Sequence, residues 1–424
     1  MPQNPSYPTT RVEIAGVPVA QIAEQFGTPV FVYDAAMIRS RIADLASFDH
    51  VRYAQKACSN LSILKLIRGE GVLVDAVSAN EIRRALAAGY PGGVPADGTP
   101  PAIVYTADIF DRESLELVVE HDIHVNCGSI DMIDQLGAVA PGRTITLRIN
   151  PGFGHGHSQK TNTGGDSSKH GIWYEQLGEC FARAEKSSLR ITGLHMHIGS
   201  GADMEHLSQV CDAMEKVALE AGPTITSIST GGGMPTPYKE EDQHIDVEPY
   251  FQLWDATRKR LEEAFSHPVS LETEPGRYLV AESGYLVSEI RAIKSQAANR
   301  FYLVDAGFTN LARPILYGSY HPISIVPSDG NLNRPEQDVT VGGPLCESGD
   351  IFTQEEGGYV AKRRLPEASV GELLVLECAG AYGAVMSSNY NSKPLAPEVL
   401  IDGGTPKLIR RRQSFDELVA IERV

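Results

Sequence analysis

Four stretches of this chain combine residue types suited to chemistry on aldehydes, amines and anions. YAQKACSN (53–60) carries Lys56. A lysine held in a partly desolvated setting is a neutral nucleophile that forms an imine with an aldehyde. HMHIGSG (195–201) places His195 and His197 before Gly199, Ser200 and Gly201, and the segment ending at 233 closes on Gly231, Gly232 and Gly233. Glycines lack the Cβ that would keep an anion from backbone N–H groups. EPGR (274–277) sets Glu274 ahead of Pro275, Gly276 and Arg277, and a carboxylate can keep a ring nitrogen protonated. Singly, each has an ordinary explanation: a lysine snorkels at the surface, a glycine run relieves a tight turn, a histidine satisfies a core. The fold decides whether they meet.

From residue 51 onward, β-branched runs alternate with helical patterns. There are eight: VRYAQK (51–56), VLVDAV (72–77), AIVYTA (102–107), IHVNCG (123–128), TITLRIN (144–150), ITGLHMH (191–197), ITSIST (225–230) and VSLETE (269–274). Segments such as NEIRRALAAGY and DRESLELVVEH between them repeat apolar residues at three- and four-residue spacing, as helices packed on one face do. Eight such units predict a closed parallel (β/α)8 barrel of the TIM type. After Arg277 the texture turns to strand-like runs between Gly and Pro turns (YLVAESGYLVSEIRAI, RFYLVDAG, ELLVLECAGAYG), so a β-rich domain of sandwich or barrel-like form is expected to follow. The early runs RVEIAGVPV and PVFVYDA read as strands that join it. The expected divisions are 1–30 for these strands, 31–280 for the barrel and 281–424 for the β-rich domain.

Barrels of this kind carry reactive groups at the C-terminal ends of their strands, and the stretches above fall there. Strand 1 ends in Lys56, strand 2 in Asp75, strand 5 in Arg148 and Asn150, strand 6 in His195 and His197, strand 7 in the glycines and strand 8 in Glu274. A glycine cradle after strand 7 sits where barrels often bind phosphate, with Ser200 and the N–H of Gly276 or Arg277 placed to complete it. An imine-forming lysine across the same mouth makes pyridoxal 5′-phosphate (PLP) the economical ligand. Glu274 then faces the pyridine nitrogen, and His197 stacks on the ring.

The match extends well beyond these four stretches. NPGFGHGHSQKTNTGGDSSKHGIW (150–173), VDAGFTNLARPILYGSYH (304–321), GPLCESGD (343–350) and GAYGAVMSSNYNSKP (380–394) join them, and with them the chain resembles the bacterial diaminopimelate decarboxylases, within the PLP-dependent barrel decarboxylases (alanine racemase/ornithine decarboxylase-like, fold type III). The resemblance implies that Lys56 carries the cofactor, His197 stacks on it, Ser200, Gly233 and Gly276 hold its phosphate, and Glu274 meets its ring nitrogen. It also implies that Arg277, Arg313, Tyr317 and Glu347 contact substrate, that Cys346 donates a proton, and that Tyr382 touches substrate and cofactor. The activity implied is decarboxylation of meso-diaminopimelate to L-lysine, in a homodimer whose Cys-Glu pair reaches the partner's site. The far end of that substrate carries both an ammonium and a carboxylate, which Glu347 and Arg313 answer with opposite charges. One departure is AVSANE (76–81), where relatives place Gly before the Glu and this chain has Asn80; because Asn tolerates positive φ, the turn is expected to survive.

Composition narrows the remaining classes. In 424 residues, Lys+Arg 37 against Asp+Glu 54 gives −17, a field that repels a phosphate backbone and excludes nucleic acid as the expected partner. The Arg410–Arg411–Arg412 run reads as solvated surface. No apolar run reaches the roughly 18 residues of a membrane span. The N-terminal residues lack a secretory n-region and h-region, and six cysteines fall without CxxC pairing, so reduced thiols and a cytoplasmic location are expected. HGH (155–157) has neither cysteines nor a carboxylate fork beside it, and no metal is expected; the 155–170 loop reads as a lid. Two alternatives stay open: a decarboxylase of the same family acting on D-lysine, D-ornithine or carboxynorspermidine, and a non-catalytic PLP carrier.

Overall fold

The computed structural model describes residues 7–154, 163–199 and 204–424. Two compact units are present. Unit 1 takes in 42–235 and 245–276; unit 2 takes in 7–41, 236–244 and 277–424 among the described residues.

Unit 1 is the barrel. Its strands are β1 (His50–Ala54), β2 (Leu73–Ala76), β3 (Ile103–Ala107), β4 (His124–Cys127), β5 (Thr144–Asn150), β6 (Arg190–Met196), β7 (Ser227–Ser229) and β8 (Ser270–Thr273). Each pairs in parallel with the next, and β8 returns to β1 through Glu272↔His50 and Thr273↔Val51, closing the ring. All eight expected runs supply a strand. Val, Ile and Leu fill them because a parallel strand is covered on both faces. In β6 the alternation is sharp: a Cβ on Gly193 would lie 2.5 Å from Thr146 Oγ1 and 2.8 Å from Ser227 Oγ on the neighbouring strands, while Leu194 is fully buried.

Helices begin where a side chain can satisfy a free backbone N–H. Asn60 accepts from Ser62 N (2.9 Å) and Asp111 from Ser114 N (2.6 Å). Ser78 caps Ala79–Ala87, accepting from Glu81 N at 3.3 Å while Glu81 accepts from Val77 N at 2.8 Å. Asn80 therefore lies inside a right-handed helical turn, and the positive-φ turn anticipated there is not needed.

Unit 2 is built on one long strand, Gly284–Gln296. Val30–Asp34 and Leu373–Leu376 pair antiparallel with its first half, and Asn299–Val304 with its second. Glu398–Asp402 then adds in parallel to Val30–Asp34. The N-terminal run thus becomes an interior strand of the β-rich unit, since its apolar face (Val30, Val32) packs with Val287, Val375 and Val399. The compact units divide at 41/42 and 276/277, against expected boundaries at 30/31 and 280/281. Arg410 and Arg412 are not merely solvated: they donate to Ala396 O (2.9 Å) and to Pro29 O (3.0 Å), tying the C-terminal segment to the sheet.

Leu194→Ala should cost about 2–5 kcal/mol of stability by urea unfolding, the range for emptying a packed leucine site; a loss under about 1 kcal/mol would show that this face of β6 is not packed.

Candidate active site

The C-terminal ends of the barrel strands gather the residues expected in unit 1. β1 runs into a 3₁₀ turn, Gln55–Ala57, which presents Lys56 to solvent. Beside it, Ala54 N donates to Pro275 O (3.1 Å), and a Cβ on Gly276 would lie 3.1 Å from Ala54. Closure of β8 on β1 therefore sets the Glu274–Pro275–Gly276 turn against the base of the Lys56 turn.

Glu274 is the electrostatic centre of this end. His195 Nε2 donates to its Oε2 at 2.8 Å and Ser229 Oγ to its Oε1 at 3.0 Å. Burial would raise this carboxyl, but the His195 contact, the charge of Arg52 and the Ser229 hydrogen bond outweigh it and hold Glu274 well below the usual carboxylate range. Asp75 goes the other way, pushed up to about 7 by burial and by the charge of Glu274. Two neighbouring carboxyls thus sit in opposite protonation regimes.

His197 Nδ1 donates to Gly232 O at 3.1 Å, which fixes its ring and tautomer. Burial, with the charges of Arg148 and Lys56, takes this imidazole well below the usual range, so it presents a neutral face. The glycine turn beneath it tolerates no side chain. A Cβ on Gly231 would stand 2.5 Å from Met196 O, on Gly232 2.6 Å from Glu274 O, and on Gly233 2.2 Å from Gly199 O, with φ +64° at Gly231 and +106° at Gly233. Ser200 lies outside the described residues. Asp75 Oδ1 and His195 Nδ1 are buried without a partner among them.

These features fit PLP. An accessible amine, a neutral flat ring, a bare backbone turn and an ionised buried carboxylate match an aldehyde, a pyridine face, a phosphate and a ring nitrogen in turn, and the unpaired Asp75 Oδ1 and His195 Nδ1 leave polar atoms for a ligand to satisfy.

Unit 2 holds the other expected residues. Arg277 and Arg313 donate to the same phenol oxygen, Tyr238 Oη, at 2.8 and 2.9 Å. Arg277 also stacks over Tyr382, 5.0 Å from its centroid, and Tyr382 itself has φ +57°. Tyr317 ends the short helix Arg313–Tyr317. Cys346 and Glu347 are exposed on a loop braced by Asp350, which accepts from Leu345 N and Phe308 N, both at 2.8 Å. Cys346 N donates to Asn391 Oδ1 at 2.8 Å.

Sequence reasoning missed Tyr238. It also missed Asp108, which accepts from Gly171 N (2.9 Å) and pairs with His170 (2.7 Å), clasping the far end of the 151–171 loop. The usable signal for Asp108 was its place just past β3, at the reactive end of the barrel. Residues 155–162 of that loop, HGH included, lie outside the described residues; among the described ones no cluster of His, Cys, Asp or Glu forms a metal site.

Residues 36–281 match the family model for the pyridoxal binding domain of pyridoxal-dependent decarboxylases. The chain is 53% identical over 417 residues to the diaminopimelate decarboxylase of Escherichia coli, covering 98% of each chain. It is 53% identical to that of Streptomyces coelicolor, over 99% of this chain and 95% of the other. A crystal structure of diaminopimelate decarboxylase superposes with a TM-score of 0.91 at 54% identity over 95% of each chain. That of Helicobacter pylori complexed with L-lysine gives 0.83 at 28% identity, over 95% of this chain and 98% of the other.

Gly233→Ala forces a Cβ onto a backbone oxygen in a glycine-only conformation, so the turn must shift. Its PLP dissociation constant, titrated by absorbance, should rise at least about tenfold, or roughly 1.4 kcal/mol; unchanged affinity would remove the glycine turn from the phosphate site.

Proposed function

We propose that this chain, which belongs to the diaminopimelate decarboxylases among the pyridoxal-dependent decarboxylases, converts meso-2,6-diaminopimelate to L-lysine and CO2, the step that completes lysine biosynthesis. The observation that carries the reading is Glu274, buried and held as a carboxylate by His195 and Ser229 at the end of the strand that closes on the Lys56 turn. PLP, when bound, supplies the sink for the electron pair left as the carboxylate departs.

The protein's residues do the rest. Lys56 Nζ is the amine that would hold the cofactor through its aldehyde carbon. Glu274, held as a carboxylate by His195 and Ser229, would meet the ring nitrogen and favour its protonated form. His197, neutral and fixed by Gly232 O, would pack on the ring face. The backbone of Gly231, Gly232, Gly233 and Gly276, with Ser200, binds the phosphate. Pro275 orients this turn through its carbonyl, which accepts from Ala54 N, and Asp75, carried toward neutrality, adds a protonatable group near Lys56.

Arg277, Arg313 and Tyr317 take the carboxylate at the substrate's far end, Glu347 its ammonium, and Tyr382 packs on the Arg277 guanidinium. Cys346 delivers a proton to the carbon that lost CO2. Its loop is exposed in the single chain, which suits a homodimer in which the Cys346–Glu347 pair completes the partner's site. Among the described residues no helix is long and apolar enough to cross a membrane, and the cytoplasm, where reduced thiols persist, is the compartment that fits.

Purified protein with PLP should release L-lysine and CO2 in equal amounts from meso-diaminopimelate. Glu274→Gln should lower kcat by at least about a hundredfold while PLP affinity changes little, because the sink is weakened and the cradle is not. Turnover of D-ornithine or D-lysine in preference, or a fully active Glu274→Gln enzyme, contradicts the assignment.

Shared sites are tested by subunit exchange. Lys56→Ala and Cys346→Ala chains, each nearly inactive alone, should recover when mixed, since both defects fall in one site of a mixed dimer. Random exchange puts about half the dimers in that form and restores roughly a quarter of wild-type sites. Native mass spectrometry verifies the mixed dimers; if they form and activity stays absent, the Cys-Glu pair serves its own chain.

A further inference from the structure

We infer that Tyr238, together with His321, is a positioning residue that aims Arg277 and Arg313 at one substrate carboxylate while leaving their positive charge uncompensated by the protein. The inference rests on the diaminopimelate reading above and extends it to a residue outside the expected site.

Two like charges share a narrow space here. The guanidinium of Arg313 lies 4.8 Å and that of Arg277 5.9 Å from the centroid of the Tyr238 ring, and both donate to its oxygen. Among the described residues neither arginine forms an ion pair with a carboxylate. The buried acids of the same unit are committed elsewhere: Glu377 accepts from Arg11 (2.8 and 2.7 Å) and Ser324 (2.7 Å), Glu282 from Arg41 (3.0 Å) and His244 (2.9 Å), Glu372 from Arg334 (2.7 Å), Asp350 from Leu345 N (2.8 Å), and Glu398 pairs with Arg410 (3.0 Å).

Every group that accepts from the pair is neutral. Arg313 donates to Ser319 Oγ and to His321 Nε2, both at 3.2 Å. His321 Nδ1 donates to Glu377 O at 3.1 Å, so its Nε2 carries the lone pair that Arg313 needs and the ring is uncharged. A carboxylate in place of any of these would bind the arginines more strongly and compete with substrate. Neutral acceptors orient a guanidinium without cancelling it.

The phenol does more than hold the pair. With its oxygen accepting from both arginines, its own O–H is left to donate, so three donors converge on one anion. The backbone that carries the ring is anchored, since Tyr238 N and Lys239 N donate to Asp242 Oδ2 at 2.9 and 3.0 Å and Tyr7 Oη donates to Pro237 O at 3.1 Å, and the ring itself meets His321 edge-on with centroids 5.5 Å apart. An anion met by two guanidiniums and a phenol is a carboxylate in a substrate that carries no phosphate.

Tyr238→Phe tests this, because it keeps the ring under both guanidiniums and removes only the oxygen. KM for meso-diaminopimelate should rise about tenfold with kcat within about threefold and the absorption of bound PLP unchanged. The dissociation constant of L-lysine, which keeps the far-end carboxylate, should rise by a similar factor; that of cadaverine, which has none, should not. His321→Gln, which can still accept from Arg313 and donate to Glu377 O, should stay closer to wild type than His321→Leu. Unchanged KM and L-lysine affinity in Tyr238→Phe overturn the inference, as does equal weakening of L-lysine and cadaverine. A wild-type protein that does not turn over meso-diaminopimelate overturns the substrate reading instead, and the contrast between L-lysine and cadaverine still decides the role of Tyr238.

Discussion

A carboxylate buried at the end of a barrel must find donors, and the way Glu274 finds them ties most of unit 1 together. An isolated ionised carboxyl away from water would neutralise. Here the donors come from two other strands, His195 on β6 and Ser229 on β7, with the charge of Arg52 on β1 adding to them. That set exists only when β6, β7, β8 and β1 are neighbours in register, as Leu194↔Ile228↔Leu271 makes them. A one-residue slip would turn these side chains to the opposite face and leave the charge bare. Closure of the barrel is thus coupled to the charge state of one residue.

The glycines belong to the same constraint. Gly231 O accepts from Glu274 N at 2.8 Å, and Gly232 O accepts from His197 Nδ1. The turn after β7 therefore uses its carbonyls to position His197 and Glu274, just past β6 and β8. Gly231 N donates to Ser229 Oγ at 3.2 Å, so among the described residues it is the N–H groups of Gly232 and Gly233 that are left for an anion, and only residues without Cβ let three backbones approach so closely. One local geometry orients the imidazole, orients the carboxylate and offers a phosphate site.

Much of this was legible in the chain because it is periodic. Eight β-branched runs, each followed by an amphipathic segment, leave little choice of architecture, and position at a strand's C-terminal end raises Lys56, His197 and Glu274 above other residues of their types. The resemblance then named the second-unit residues that spacing alone could not. What escaped has a common cause. Tyr238, His321 and the Asp108–His170 clasp act from segments without period through partners far away in the chain: Tyr238 meets Arg313 across 75 residues, His170 meets Asp108 across 62 and His321 meets Glu377 across 56. Asn80 was misread for a different reason: the Ser78–Glu81 cap, a local pairing three residues apart, places it in a right-handed helical turn and overrides the tolerance of Asn for positive φ.

The chain treats its two kinds of buried charge in opposite ways, and in the proposed function that difference separates cofactor chemistry from substrate recognition. Glu274 is satisfied internally: its donors are in place, so its charge is present before anything binds, which suits the proposed task of holding a proton on a ring. Arg277 and Arg313 are oriented but not neutralised, since Tyr238, Ser319 and His321 contribute lone pairs and no charge. Burying cations without a counter-ion costs stability, and burial does lower the Arg313 guanidinium from its ordinary value, with Arg277 adding to that effect. The cost has a return in selectivity. A ligand bearing a carboxylate recovers it on binding, whereas a diamine that lacks one does not, so discrimination rests on the charge the protein leaves open.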